Sequence, residues 1–308
     1  MPRCPASAPA VALVAIAATG LLTAAFGADT GRTAAVRRPA GMALVPAGTF
    51  VMGSSNEEVA AAIRACAAEY GPARAPAGCN RSFFDPELPK RRVFLRAFAL
   101  DRLEVSVAEY RACVRAGACD PGALVAQDPR LTRPEGPMTG VTWDEAVAFC
   151  RAQGKRLPTE AEWEKAARGG SGRLWPWGGG WDPRRANHGR VSVELALRYL
   201  DPELHRDADG ADGFRLTAPV GSFPAGASPY GVLDLAGNAA EWTADVFALD
   251  PPQARSAADP RGPAQGPLRT VRGGSFLDPS FRLRAAWRGA AEPGTRSSER
   301  GFRCAKDR

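Results

Sequence analysis

The stretch "TWDEAVAFCRAQGKRLPTEAEWEKAARGG", residues 142–170, writes two helices in one grammar. In the first, Thr142 stands three residues before Glu145, the spacing of a capping box, in which hydroxyl and carboxylate satisfy each other's backbone N–H groups. Ala146, Phe149 and Cys150 then fall near one face, and Gly154 ends the run. The second repeats the pattern: Pro158 precedes Thr159 as cap, Glu162 holds the box position, and Gly169 stops the helix.

Working outward, the pattern becomes mixed. "MALVPAGTFVMGSS" (42–55) alternates apolar residues around Pro46 and Gly48, which predicts a strand, a turn and a strand. "NEEVAAAIRACAAEYG" (56–71) predicts a helix capped by Asn56 and followed by Gly71. "RRVFLRAFALDRLEVS" (91–106) alternates like a strand, and "SVAEYRACVRAG" (106–117) predicts a helix capped by Ser106. Beyond residue 170 regular periodicity fades into turns and tryptophans. With 33 glycines and 27 prolines, a loop-rich α+β domain fits better than a helical bundle. No internal repeat appears, and one continuous domain over 41–308 is expected.

Residues 1–27 read as a secretory signal: Arg3, a long apolar run, and small residues at Ala25 and Gly27 before Ala28. A retained membrane anchor is the alternative reading. Residues 28–40 read as a polar linker. Of seven cysteines, Cys4 precedes the apolar run, which leaves Cys66, Cys79, Cys113, Cys119, Cys150 and Cys304. An even set in an exported protein implies disulfides, whose pairing spacing alone does not fix. An exported location, periplasmic or secreted, follows, with no membrane span after signal cleavage. The net charge of +7 comes almost wholly from arginine, since Lys90, Lys155, Lys165 and Lys306 are the only lysines. No basic run is interleaved with aromatics, so nucleic acid is not expected as a partner.

Two stretches offer oxygen ligands. "DADGADGF" (207–214) places Asp207, Asp209 and Asp212 among glycines, a pattern that suits calcium or an acidic turn. "GVLDLAGNAAEWTAD" (231–245) offers Asp234, Asn238, Glu241 and Asp245, or else a helix capped by Asn238. A Ser-His-Asp triad or a two-histidine iron site would have to draw on His188 and His205, the only histidines, and neither is favoured.

Taken in order, "MALVPAGTFVMGS", "FALDRLEVSVAEY", "PMTGVTWDEAVAFCRAQGKRLPTEAEWEKAARGG", "WPWG", "DGFRLTAPVGSFPAGASPYGVLDLAGNAAEWTAD", "VRGGSF" and "RGFRCA" resemble the formylglycine-generating enzyme, or sulfatase-modifying factor, family. The resemblance implies a loop-rich α+β fold related to C-type lectins. It also implies structural calcium at two places. One set is the Asn187 side chain, the His188 carbonyl, Asp212 and the Phe214 carbonyl. The other is Asp234, Gly237, Ala239 and Glu241, where the family often has asparagine in place of Asp234. Asp207 and Asp209 fall outside these sets. The resemblance further pairs Cys150 with Cys304; proximity pairs Cys113 with Cys119 and Cys66 with Cys79.

The chain departs from the family most sharply after "GGS". Active members use two cysteines shortly after "GGS" to hold copper and oxidise a sulfatase cysteine within Cys-x-Pro-x-Arg to formylglycine. Here "FLDPSFRLRAAWRG" (276–289) follows, with Asp278 and Leu283 near those positions and no cysteine. No copper is expected, because monovalent copper needs soft thiolates. The leading expectation is a family member without oxidase chemistry that binds a protein or small ligand, acidic in character. Ser275, Asp278, Arg282, Arg284, Trp287 and Arg288 are the candidate groove residues. An enzyme of the same fold is the alternative, a protein-modifying or secondary-metabolite-maturing oxidoreductase using other residues, with Asp278 available as general base. A third reading is an envelope interaction domain with no small ligand.

Overall fold

In a computed structural model of the chain, residues 41–71, 79–189, 212–249 and 257–308 are described. The expected signal peptide and linker, together with Asp207, Asp209 and His205, lie outside them. Among the described residues no helix is long and apolar enough to cross a membrane.

The α-helices of the described residues are α1 (Asn56–Tyr70), α2 (Val107–Arg115), α3 (Gly122–Ala126), α4 (Trp143–Ala152) and α5 (Glu160–Arg168). All but the short α3 lie where the sequence places them. The capping boxes at Thr142/Glu145, Thr159/Glu162 and Ser106/Glu109 are all formed. One expectation is corrected. Ser55, not Asn56, caps α1, because its hydroxyl accepts the Glu58 N–H while Glu58 accepts the Ser55 N–H. Asn56 instead accepts from Arg81.

The strands are short. The pieces β1 (Met42–Val45) and β2 (Gly48–Met52) flank the predicted turn but do not pair with each other. The alternating run 91–106 divides into β3 (Arg91–Leu95) and β4 (Phe98–Asp101). β2 pairs with β3, while β1 pairs with β4. On its other edge β4 pairs with β9 (Ala305–Asp307), so the first and last strands of the described residues share one sheet. A second sheet runs β7 (Gly289–Ala291), β6 (Arg269–Arg272), β5 (Ala240–Val246), β8 (Arg300–Gly301), with β5 and β8 parallel.

Helix α5 lies at the centre. All nine residues of its sequence, EAEWEKAAR, are buried, although five of them are charged. Burial of a charge is tolerated only when it is paired. Here Glu164 pairs with Arg272 at 2.7 Å and Arg168 at 2.9 Å, Glu160 pairs with Arg272 and Arg288, and Lys165 donates to the Pro46 and Gly48 carbonyls. Trp163 packs into an apolar cluster with Phe50, Val93, Leu95, Phe98 and Leu100. A second cluster joins α2 and α4 to Trp242 and Phe302 through the Cys150–Cys304 disulfide. The Cys66–Cys79 disulfide lies in a third, with Phe84 and Phe281, and Cys113–Cys119 closes the end of α2. All three pairings match those expected.

Candidate functional site

Strand β6 delivers the chain into Gly273 and Gly274, both at positive φ (91° and 68°). A Cβ on Gly273 would lie 3.1 Å from the Trp163 ring, and one on Gly274 would lie 3.1 Å from the Arg282 carbonyl. The glycines therefore serve both conformation and close approach. They turn Ser275 inward, where it is fully buried.

Ser275 organises the segment. Its N–H and hydroxyl both reach Asp278 Oδ2, at 2.9 and 3.0 Å, and its Oγ accepts the Leu277 N–H. The same Oγ lies 3.2 Å from Glu299 Oε2. Glu299 sits just before β8, and its carbonyl accepts the Ala240 N–H at the start of β5. Burial first, and the neighbouring Asp278 second, push the Glu299 carboxyl up to about 7. Arg282 faces Asp278 at 3.4 Å and lies over the Trp287 ring. Arg300 stacks on Trp242 at 4.1 Å, and burial lowers its guanidinium to about 10. Both arginines keep a buried Nε–H without an acceptor.

Arg284 and Arg288 lie elsewhere, while Trp287 stays beneath Arg282. Arg284 is buried and donates to both oxygens of Glu87 at 2.8 and 2.6 Å. Arg288 is bound to Glu160 and to the Pro86 and Ala248 carbonyls. Trp287 packs edge-on against Phe84 and Phe281. Of the three arginines, only Arg282 stays beside Asp278. Leu283 is fully buried among Trp175, Ala186 and Ala236.

The first oxygen set is drawn together. Asp212 accepts the His188 N–H and the Phe214 N–H, each at 2.9 Å. Asn187 is buried, and its Nδ2 donates to the Leu216 carbonyl and to Asn238 Oδ1. Its Oδ1 is buried with no hydrogen-bond partner. An orphaned carbonyl oxygen beside a carboxylate is a donor set that calcium fits. Among the described residues no group of three or more His, Cys, Asp or Glu side chains is placed to hold a metal. Any ion here would therefore depend on amide and backbone oxygens.

The second set is built differently. Gly237 comes so close to the Asn187 carbonyl that no Cβ fits there. Asp234, at φ 55°, accepts the Gly221 N–H at 2.6 Å. Glu241 is engaged already: Arg303 binds both its oxygens, and Trp163 Nε1 donates to one of them. Nearby, Glu104 accepts from Asn238 Nδ2 and from the Ala239 N–H. Burial drives Glu104 well above the carboxylate range, helped by Asp234 and Glu241; burial also lifts Asp234 to about 6. Three buried carboxyl groups thus face one guanidinium, Arg303. A divalent cation fits this cluster, where Asp234 and the Gly237 and Ala239 backbone stand beside a Glu241 that Arg303 and Trp163 already hold.

Asn238 and Asp245 change roles from those the sequence suggested. Asn238 caps no helix, because a strand follows it. At φ 62° it ties Asn187, Ala218, Glu104 and Phe276 together through its side chain and backbone. Asp245 accepts the Glu160 N–H at the start of α5. Glu104, Glu299 and Arg303 carry no sequence signature of their own. Glu104 and Arg303 each sit in a short strand-like run, where the only available signal is a charge at a position whose alternation demands burial; Glu299, in the polar run "RSSER", offers none.

Comparison with known proteins agrees with this architecture. Residues 28–308 match the sulfatase-modifying factor enzyme 1-like domain. The formylglycine-generating enzyme of Bos taurus is 31% identical over 87% of this chain and 75% of its own length. The inactive C-alpha-formylglycine-generating enzyme 2 of Bos taurus is 36% identical over 56% of this chain and 50% of its own length. Among solved structures, PvdO from Pseudomonas aeruginosa superposes with a TM-score of 0.63 at 25% identity, covering 87% of this chain and 94% of that one. The chain belongs to the sulfatase-modifying factor, or formylglycine-generating enzyme, family.

Proposed function

We propose that this protein is an exported, calcium-stabilised member of the family that lacks copper oxidase activity and binds a ligand or partner protein at the Ser275–Asp278 segment. One observation carries the reading. All six cysteines among the described residues are joined in disulfides, so none is a thiolate ligand there. Monovalent copper needs such ligands. At the two positions in question stand Asp278, hydrogen-bonded to Ser275, and Leu283, packed in an aromatic cluster. A copper centre does not fit these residues. The inactive bovine relative supports the idea that the fold persists without the activity.

Three disulfides suit an oxidising compartment, periplasmic or secreted. Calcium, when bound, supplies positive charge to buried oxygens in loops that make few ladder hydrogen bonds. The chain does the rest. Asn238 and Glu104 fix the 237–239 backbone, and the 187–189 segment is tied to the groove by the Gly189 N–H donating to the Asp278 carbonyl. Arg282 is the side chain that meets an acidic ligand.

The test is incubation of the calcium-loaded protein with a Cys-x-Pro-x-Arg peptide and copper, read by mass spectrometry. Unchanged peptide is expected; conversion of its cysteine to formylglycine would overturn the reading. The second reading, an enzyme of the same fold with other residues, is favoured by the hydroxyl-bridged carboxyl pair of Asp278 and Glu299.

A further inference from the structure

The proton count around Ser275 is informative. Its Oγ is 3.0 Å from Asp278 Oδ2, 3.2 Å from Glu299 Oε2, and accepts the Leu277 N–H at 3.2 Å. A serine hydroxyl has one proton to donate and two lone pairs to offer. It cannot donate to both carboxyl groups. If both were ionised, one of the two short O···O contacts would hold no proton and would be repulsive inside the protein. Asp278 Oδ2 also accepts the Ser275 N–H, and its Oδ1 faces Arg282. Asp278 is thus already an acceptor on both oxygens, so the serine proton points there. The second proton then belongs to Glu299, directed at the remaining lone pair of Ser275. In this arrangement the hydroxyl's one donor and two acceptor positions are all used.

We propose that Glu299, Ser275 and Asp278 form an acid–base relay holding one mobile proton, with Glu299 as the group that exchanges it with a bound substrate. The proposal rests on the copper-free reading of the same segment. In one passage, the Glu299 O–H protonates Ser275 Oγ as the serine's own proton moves to Asp278. Glu299 is left ionised and Asp278 neutral. No heavy-atom bond forms or breaks, and no electron moves. Ionised Glu299 then takes a proton from a substrate O–H, N–H or C–H. The pair holds two protons until one returns to the product or to water. The reaction class is proton transfer without a redox partner.

The charged groups around Glu299 are Asp278 and Arg282 from the segment after β6, and Arg300 beside it. Burial and then Asp278 raise its proton affinity, while the Ser275 hydrogen bond and the arginines lower it. The balance, about 7, lies where a group both gives and takes protons at neutral pH.

Carbon-13 NMR of side-chain carboxyl groups in the full calcium-loaded protein tests this. Beside the signals of Asp234 and Asp245 near 6, one carboxyl signal titrating near 7 is expected, absent in Glu299→Gln. In Asp278→Asn it should move down, because the charge that raises it is gone. Glu299→Asp keeps the charge but withdraws it from Asp278, whose charge raises it, and its titration should fall. If Glu299→Gln removes no signal titrating near 7, or if Asp278→Asn and Glu299→Asp leave that signal in place, the relay is overturned. Formylglycine on the sulfatase-type peptide would instead end the copper-free reading and leave the titration standing.

Discussion

A single buried oxygen without a partner is costly, of order 1–3 kcal/mol, unless something outside the protein's own hydrogen bonds satisfies it. Asn187 Oδ1 is such an atom. Asn187→Leu removes it at similar size and is expected to lower calcium affinity at least tenfold by isothermal titration calorimetry. The variant should also lose most of the calcium-induced rise in melting temperature. Equal calcium affinity in both proteins would show that the oxygen is not a ligand. At this scale the sequence is only partly legible. Asn187 and Asp212 stand out because they match a family pattern. Glu299 does not, because its role depends on Ser275, which is 24 residues away and reaches it only through the β5–β8 pairing. Arg284 and Arg288 read as groove residues because nothing in a run of alternating arginines tells which guanidinium meets an internal glutamate.

Among the elements, α5 is the one whose environment its sequence disguises. Its capping box and terminal glycine can be read from the residues themselves, because both are local chemistry. Its burial cannot, because charged residues usually mark a solvent face. Their partners, Arg272, Arg288 and two backbone carbonyls near residue 47, come from distant parts of the chain. A helix held this way should respond sharply to its first turn. Thr159→Ala removes the hydroxyl that accepts the Glu162 N–H at 3.1 Å. It should cost about 1 kcal/mol, toward about 2 kcal/mol at this buried position. Urea unfolding checks this, and a loss below a few tenths would mean that tertiary pairing alone sets the helix. The same reasoning explains β1 and β2: alternation announces both strands, yet their pairing with β4 and β3 is a matter of long-range register.

For the molecule as a whole, buried carboxyl groups set a pH dependence. Asp245 and Glu299 are raised, mainly by burial, to about 6 and about 7 from 3.8 and 4.5. A group whose folded state holds its proton more tightly adds stability at low pH and loses it as pH rises through the folded value. The contribution is therefore full below about 4 and gone above about 7. For Asp245 alone the span is about 3 kcal/mol, taking about 1.4 kcal/mol per pH unit. Glu145 and Glu160 are shifted the other way, and their stabilisation is lost only as pH falls below about 4. Unfolding free energy is thus expected to decline from about pH 4 to about pH 7. A rise across that interval would contradict the assignment. The overall architecture is the most legible level, since an ordered set of motifs spans nearly the whole domain.

The shared sheet of β1, β4 and β9 has a consequence for biosynthesis. Its third strand, Ala305–Asp307, and the cysteine that meets Cys150, 154 residues downstream of it, are made long after the segments they join. A ribosome must release residues 304–307 before both contacts can close. Until then β4 keeps a bare edge and Cys150 has no mate, a form that a chaperone or a thiol oxidoreductase can engage.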